Sequence, residues 1–136
     1  MAKAVALAEN VKKIEQNAPV IGVFVAGDPR IDALSRKRCQ NIVKMAADIL
    51  ADRVKLPDGS LAKVVYAPIL VDGEKQADIV AKQFQDAGVS ILVCTPDTWA
   101  FPQLSVISLL QQFPNTTPIN LLRPAGCTYL TAGHRI

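Results

Sequence analysis

The stretch Pro19-Val-Ile-Gly-Val-Phe-Val-Ala-Gly-Asp-Pro-Arg30 decides the fold. It opens with a nearly continuous apolar run, which is typical of a strand buried on both faces of a parallel sheet. Gly27, Asp28 and Pro29 interrupt that run. Because Pro suits the first position of a helix and Asp suits the cap before it, we predict that Asp28 caps a helix beginning here.

The predicted first helix is long and amphipathic. From Ile31 onward its apolar residues fall mostly on one stripe, formed by Leu34, Ile42, Val43, Ala46, Ile49 and Leu50. The helix spans about six turns and ends before the turn sequence Leu56-Pro-Asp-Gly59. The basic run Arg36-Lys37-Arg38 lies among aspartates, so we interpret it as a solvated helix face and not as a nucleic-acid patch.

The same alternation of strand and helix continues along the chain. We predict strands near 20–26, 63–70, 89–94 and 117–121, and a helix after Asp72. A third helix is predicted over residues 103–113, with an extended conformation of Leu104–Leu110 as the alternative. Asp72 is the predicted cap of the second helix, whose inner stripe is Ala77, Val80, Ala81 and Phe84, and Gly88 is its C-terminal glycine. Strands that alternate with helices indicate a three-layer, doubly wound α/β fold of the flavodoxin-like or Rossmann-like kind, with parallel strand order 2-1-3-4. The expected division is an N-terminal helix (1–18), the α/β domain (19–121) and an irregular tail (122–136).

Composition narrows the class of protein. The chain has 136 residues, half of them hydrophobic, with a formal net charge of +3, which fits one globular domain and argues against disorder. The first 16 residues have helical spacing and are broken by charges, unlike a secretory signal. No apolar run reaches the roughly 18 residues of a membrane span. The three cysteines lack metal-ligand spacing, so we expect reduced thiols in a cytoplasmic protein that binds neither membrane nor nucleic acid.

The candidate site lies where the strands end. In open α/β sheets, ligands bind beyond the carboxyl ends of the strands, at the point where the winding reverses. That edge collects Asp28 and Arg30 after the first strand, and Thr95 and Trp99 after the third. Arg30 offers a planar set of donors to a hydroxyl or an anion, Trp99 an aromatic face for a sugar ring, and Thr95 a hydroxyl. The alternative is purely structural, with Asp28 only capping its helix and Trp99 only covering a helix end.

Several kinds of site are excluded or disfavoured by the residues present. Neither GxGxxG nor GxxxxGK[ST] occurs, which argues against a dinucleotide site and a P-loop. The third strand ends in Cys94-Thr95, so a receiver-type phosphoacceptor Asp is missing there. The single histidine, His134, lies far along the chain and gives a nucleophilic Cys94 little support. With one histidine and no acidic residue after Asp97, we expect no metal site and no catalytic residue in this chain.

Two of these segments resemble a known family. The stretch from Ile21 to Arg30, followed by a long helix, resembles the opening of L-fucose isomerases, which have a strand, an Asp-x-Arg turn and a long first helix. Val93-Cys-Thr-Pro-Asp-Thr-Trp99 is similar to the Thr-Pro-x-x-Trp segment of that family. The likeness covers about Pro19 to Leu121, the first domain of the family's longer subunits.

The resemblance implies a function. The family interconverts aldoses and ketoses such as L-fucose and L-fuculose with Mn²⁺, which is held in later domains by carboxylates and a histidine. Its subunits form hexamers in which the first domain of one subunit helps to cover the active site of a neighbour. By resemblance Arg30 and Trp99 are substrate-side contacts, whereas the metal ligands and acid/base residues have no counterpart here.

The tail from residue 122 onward fits neither the family pattern nor a helix or strand period. A truncated or frameshifted reading frame would produce it, and so would a stand-alone domain with a short extension. Two functions follow: a non-catalytic piece of a sugar isomerase, or an independent small α/β ligand-binding or interaction module. In the first case we expect the chain alone to be catalytically silent and to bind divalent metal only weakly.

Overall fold

A computed structural model describes residues 18–95, 106–114 and 117–120, the last four as backbone only. Its elements, in chain order, are β1 (Val20–Phe24), α1 (Ala33–Arg53), β2 (Lys63–Tyr66), α2 (Glu74–Asp86), β3 (Val89–Cys94), α3 (Val106–Leu110) and β4 (Thr117–Asn120). The predicted N-terminal helix (1–18) lies outside the described residues except for Ala18, and the predicted tail (122–136) lies wholly outside them. No helix of the described part is long and apolar enough to cross a membrane.

The sheet is parallel, and β1 lies between β2 and β3. The predicted α/β class and the 2-1-3 order of the first three strands are therefore confirmed. The backbone of β4 lies beside β3, also parallel, which gives the order β2-β1-β3-β4. The carboxyl ends of β1, β2 and β3 meet at one edge of this sheet, because neighbouring parallel strands run in the same direction.

The helices cover both faces of the sheet. Alternate residues of β1 belong to different core clusters, with Ile21 and Val23 in one and Phe24 in the other. The first cluster contains the inner residues of α1, and the second contains those of α2 together with Leu109 of α3. A sheet with helices on both faces is the doubly wound arrangement.

Helix α1 begins later than the sequence suggests. Its N-cap is Asp32, whose carboxylate accepts a hydrogen bond from the Ser35 backbone N–H at 2.8 Å. The prediction that Asp28 caps this helix is wrong, because the chain first makes a turn over Pro29 and Arg30. The long helix itself is confirmed, with 21 residues.

The predicted inner stripe of α1 needs correction. Its buried residues are Cys39, Val43 and Ala47, while Leu34 and Ile49 are mainly exposed. The helix carries apolar residues on two sides, and a 3.6-residue period alone does not show which side meets the sheet. The packing against the sheet selects the side with the smaller residues.

Helix α2 follows its predicted stripe closely. Ala77, Val80, Ala81 and Phe84 are all fully buried, and Gly88 has the positive φ of +72° that suits a glycine after a helix. The predicted cap is wrong, since the N-cap position is Gly73 and no side chain caps the helix. The carboxylate of Asp72 is bound to an arginine instead.

Phe84 lies against the sheet at a glycine. A Cβ atom added to Gly22 of β1 would meet two Phe84 ring atoms at 2.9 and 3.0 Å and the Val89 side chain at 2.8 Å. Any larger residue at position 22 would force α2 away from the sheet, since a packed core has no free volume to absorb it.

Helix α3 is shorter than predicted within the described residues. It ends at Leu110, after which Gln111 and Gln112 form a turn that leads to Phe113. After Leu110 the chain tightens, since the Gln112 and Phe113 N–H groups donate to the Leu109 and Leu110 carbonyls, and Pro114 then disfavours the helical conformation at Phe113.

Candidate functional site at the carboxyl edge of the sheet

Three buried polar residues mark one edge of the sheet. Asp28, Asp72 and Thr95 are the buried polar or charged residues of the described part, and they follow β1, β2 and β3 respectively. Burying a polar group costs free energy unless it is bonded, and these three side chains are all bonded. All three lie at the carboxyl edge of the sheet, which is where open α/β folds bind their ligands.

Backbone hydrogen bonds join the segments that carry these three residues. The Gly27 N–H donates to the Val71 carbonyl at 3.1 Å, and the Thr95 N–H donates to the Phe24 carbonyl at 2.9 Å. A Cβ atom on Gly27 would come within 2.7 Å of the buried Leu70 side chain. Glycine is needed at position 27 because the loop after β1 lies directly on the segment after β2.

Asp28 fixes the position of Arg30. One carboxylate oxygen, Oδ1, accepts from the Arg30 backbone N at 2.8 Å and from its Nε at 2.9 Å, while Oδ2 accepts from Nη2 at 2.7 Å. This two-pronged pairing uses the fixed geometry of the guanidinium. Asp28 is buried, whereas the Arg30 side chain is 72% exposed. The carboxylate thus acts as an anchor that presents an oriented guanidinium to solvent.

The same contact determines how the two groups titrate. The side-chain hydrogen bonds from Arg30, helped by its backbone N–H, lower the pKa of Asp28 from 3.8 to about 2. Partial desolvation opposes the shift but does not overcome it. The same pairing raises the pKa of Arg30. Asp28 remains ionised at neutral pH, so it is unsuited to act as a general acid there.

A second ion pair crosses the edge. Arg36 Nη1 donates to Asp72 Oδ2 at 2.8 Å, and its Nη2 donates to the Pro29 carbonyl at 3.3 Å. One arginine of α1 therefore ties the loop after β1 to the loop after β2. The Asp72 side chain is 8% exposed and that of Arg36 is 35% exposed, so the pair is only partly screened by solvent.

Sequence reasoning missed the role of Arg36. The prediction of a solvated helix face holds for the exposed Lys37 and Arg38 but is wrong for Arg36. A signal was present: the first turn of α1 contains this cation and no acidic residue. A cation near a helix N-terminus opposes the helix dipole, and an acidic partner such as Asp72 offsets that cost.

The structure describes three of the four predicted site residues. Asp28, Arg30 and Thr95 all lie at the carboxyl edge. The Thr95 hydroxyl donates to the Phe24 carbonyl at 3.3 Å. Trp99 lies outside the described residues, as do Asp97 and Thr98.

The described residues at this edge are suited to recognising a ligand by donating hydrogen bonds to it. Burial raises the pKa of the Cys94 thiol to about 12, which keeps it protonated and unreactive at neutral pH. Among the described residues there is no group of three or more His, Cys, Asp or Glu side chains that could hold a metal ion. Asp28 and Asp72 are each committed to an arginine. These residues do not fit a Mn²⁺ site, which needs several free ligands converging on one point.

Comparison with known protein families gives a match to a single domain of a larger enzyme. A family model described as L-fucose isomerase, first N-terminal domain, matches residues 18–132. The expectation that the likeness ends at Leu121 is wrong, because the match continues to residue 132. A search of curated proteins found no match.

Proposed function

The chain belongs to the family of the first N-terminal domain of L-fucose isomerase, and on that premise we propose that it is a non-catalytic, substrate-side domain of a sugar aldose–ketose isomerase. It contacts the sugar in the active site of a neighbouring subunit of a homo-oligomer, in the cytoplasm. Within this proposal residues 19–121 form the α/β domain, residues 1–18 an N-terminal helix and residues 122–136 an extension.

The observation that supports this role is the anchored guanidinium of Arg30. Sugar hydroxyls offer lone pairs, and a guanidinium carries five N–H donors, of which the pairing with Asp28 uses two. Fixing the side chain before the sugar arrives reduces the entropy lost on binding. The buried Asp28, with three hydrogen bonds of 2.7–2.9 Å to Arg30, does this fixing.

Thr95 and Trp99 complete the proposed contact set. Thr95 follows β3, which is next to β1 in the sheet, so Thr95 lies at the same edge as the loop that carries Arg30. An indole side chain at position 99 would stack on the apolar face of a pyranose ring. Asp28 is part of the set as the anchor of Arg30 and not as a direct ligand.

The proposed non-catalytic role agrees with the chemistry of the described residues. Moving a proton or a hydride between adjacent sugar carbons requires a metal ion or a base of suitable pKa. The Asp28 and Asp72 carboxylates are bound to arginines, and Cys94 is buried. Later domains of the full-length enzyme would supply Mn²⁺ and the acid/base groups.

The direct test is a chimera. Residues 18–132 replace the first domain of a full-length L-fucose isomerase, and ketose formation from L-fucose is measured. Arg30→Ala should lower kcat/KM by roughly 10- to 100-fold, the loss expected for a hydrogen bond from a charged donor. Lys37→Ala, an exposed cation on α1, is the matched control and should leave kcat/KM unchanged.

Two assays of the chain by itself separate the alternatives. With added Mn²⁺ the 136-residue chain should give no ketose from L-fucose or L-arabinose above the no-protein control. If it turned over, or if Arg30→Ala and Lys37→Ala behaved alike in the chimera, the proposal would fail. Amide shifts at Gly27, Arg30 and Thr95 when a sugar is added to the isolated, ¹⁵N-labelled chain would instead support a stand-alone binding module.

A further inference from the structure

The turn that carries Arg30 has one peptide group held from both sides. The Ile31 N–H donates to the Asp28 carbonyl at 3.3 Å, which closes a turn with Pro29 and Arg30 in its central positions. In the trans peptide between these two residues, the N–H and the carbonyl point in opposite directions. The N–H donates to Asp28 Oδ1 at 2.8 Å, and the carbonyl accepts from Arg36 Nη2 at 3.3 Å. The backbone of Arg30 is therefore held by an anion on one side and by a cation on the other.

The two contacts fix different things. Asp28 belongs to the same turn as Arg30, so its hydrogen bonds fix the Arg30 guanidinium relative to the turn. They do not by themselves fix the turn relative to α1 and β2. Arg36 lies on α1, and its Nη1 donates to the carboxylate of Asp72, a side chain only 8% exposed. Through Arg36 the middle of the turn is tied to a helix and to a buried group after β2.

A guanidinium is suited to this double contact. Its terminal nitrogens form a rigid planar fork, so one can bind the Asp72 carboxylate while the other binds the Pro29 carbonyl. The Arg36 side chain is 35% exposed, against 72% for that of Arg30. The less exposed arginine thus bonds to the framework, and the more exposed arginine is available at the surface of the candidate site.

We propose that Arg36 is a positioning residue for the sugar contact made by Arg30. By holding the carbonyl of Pro29, it keeps the Arg30 backbone in one orientation before the sugar arrives, and Asp28 then sets the guanidinium on that backbone. A side chain that must be ordered during binding costs affinity, and Arg36 reduces that cost. This inference rests on the proposed function, in which Arg30 contacts the sugar, and it adds a residue of α1 that acts only through Arg30.

The kinetic test uses the chimera with L-fucose as substrate. Arg36→Leu should lower kcat/KM by roughly 3- to 10-fold, the loss that corresponds to ordering one long side chain on binding. In a chimera that already carries Arg30→Ala, the same change should have no further effect, because the group that Arg36 positions is gone. An equal loss in both backgrounds, or no loss in the chimera that retains Arg30, would overturn the proposal.

A further variant separates positioning from stability. Adding Asp72→Asn to Arg36→Leu removes the buried charge that the single change leaves unpaired, so stability should be partly regained. The value of kcat/KM should stay low, because the Pro29 carbonyl still lacks its donor. If kcat/KM returned to that of the unsubstituted chimera along with stability, Arg36 would act on folding alone and the proposal would fail.

A measurement without sugar distinguishes this inference from the proposed function. In the ¹⁵N-labelled 136-residue chain the Arg30 Nε–H is bonded to Asp28 and should exchange slowly with solvent. Arg36→Leu should speed that exchange by about threefold or more, because the turn opens more often, whereas Lys37→Ala should leave it unchanged. Circular dichroism checks that each variant is folded.

The exchange rate decides the positioning role by itself. An unchanged rate for the Arg30 Nε–H in Arg36→Leu would overturn that role, whatever the chimera shows. A faster rate, together with an Arg30→Ala chimera of unchanged kcat/KM, would overturn the sugar contact of the proposed function while Arg36 would still position Arg30. A faster rate together with the predicted kinetic losses supports both.

Discussion

The two long helices on opposite faces of the sheet use their apolar residues differently. Helix α2 turns a single stripe of four fully buried residues inward, and Ile79 is the one large apolar residue that it exposes. Helix α1 buries three smaller residues and leaves Leu34, Met45 and Ile49 in solvent. Helix α2 thus directs its apolar stripe into the core, whereas α1 packs into the core on one side and exposes apolar residues on the other.

The helices also differ at their N-termini. At the start of α1 the Ser35 N–H donates to the carboxylate of Asp32, whereas the N-cap of α2 is Gly73 and no side chain caps that helix. The aspartate that precedes α2, Asp72, is bonded to Arg36 of α1. Arg36 of α1 thus binds the aspartate that could otherwise cap α2, and this ion pair holds two loops of the candidate site together.

The sharpest way to test this contrast is to truncate one side chain on each helix. Phe84→Ala should lower the free energy of unfolding by about 3–5 kcal/mol, because it removes a fully buried aromatic ring and leaves a cavity. Leu34→Ala should change it by less than about 0.5 kcal/mol, as expected of an exposed position. Urea unfolding followed by circular dichroism, at a concentration where the chain is monomeric, measures both. Similar losses for the two variants would contradict the assignment of the faces.

The close approach of α2 to the sheet gives the next largest effect. Gly22→Ala should cost about 1–3 kcal/mol, since its Cβ would lie within 3.0 Å of Phe84 and Val89. Ser90→Ala, at an exposed position of β3, is the control and should be near neutral. If Gly22→Ala were as mild as the control, α2 would have to lie farther from β1 than described. The pair of measurements uses the same urea titration.

The sequence predicts the parts of this molecule that depend on local patterns. The β1 run, the inner stripe of α2 and Gly88 rest on residue types a few positions apart, and the structure agrees with them. The contacts that the sequence could not predict are those between residues far apart in the chain. Asp72 and Arg36 are 36 residues apart, and an aspartate before a helix has the same residue type whether it caps the helix or binds an arginine.

The two sides of α1 show a second feature that the sequence does not determine, namely which apolar stripe is buried. Leu34 and Ile49 have the right spacing for a core-facing stripe, yet Cys39, Val43 and Ala47 are the residues that face the sheet. Periodicity identifies apolar stripes, while the space between helix and sheet decides which of them is buried. Asp28 shows the same ambiguity of residue type as Asp72, since its partner Arg30 could be recognised only from the turn geometry.

Removing the charge that α1 contributes to the site should have a smaller effect than either core change. Arg36→Leu should destabilise the chain by about 1–2 kcal/mol, because it leaves the carboxylate of Asp72 buried without its charged donor. Adding Asp72→Asn should recover part of that loss, since the orphaned charge is then gone. A double-mutant cycle on urea unfolding gives the coupling. Additive losses would show that the two side chains do not interact in solution.

The smallest expected effect concerns Asp28 and appears as a dependence on pH. Its pKa in the folded chain, about 2, lies below its ordinary value of 3.8, so the ionised form favours folding. The contribution is complete above about pH 4 to 5 and is lost as the pH falls through the folded pKa. Asp28→Asn should therefore be less stable than the original chain at pH 7, and the gap in stability should narrow between about pH 4 and 2.

Urea midpoints across that range measure the gap, and carbon NMR of the Asp28 carboxyl should give a titration midpoint near 2. A gap that stays constant down to pH 2, or a midpoint close to 3.8, would mean that Arg30 is not held by Asp28. The guanidinium would then reach the edge of the sheet as a freely moving side chain, without the fixed orientation that a substrate contact requires.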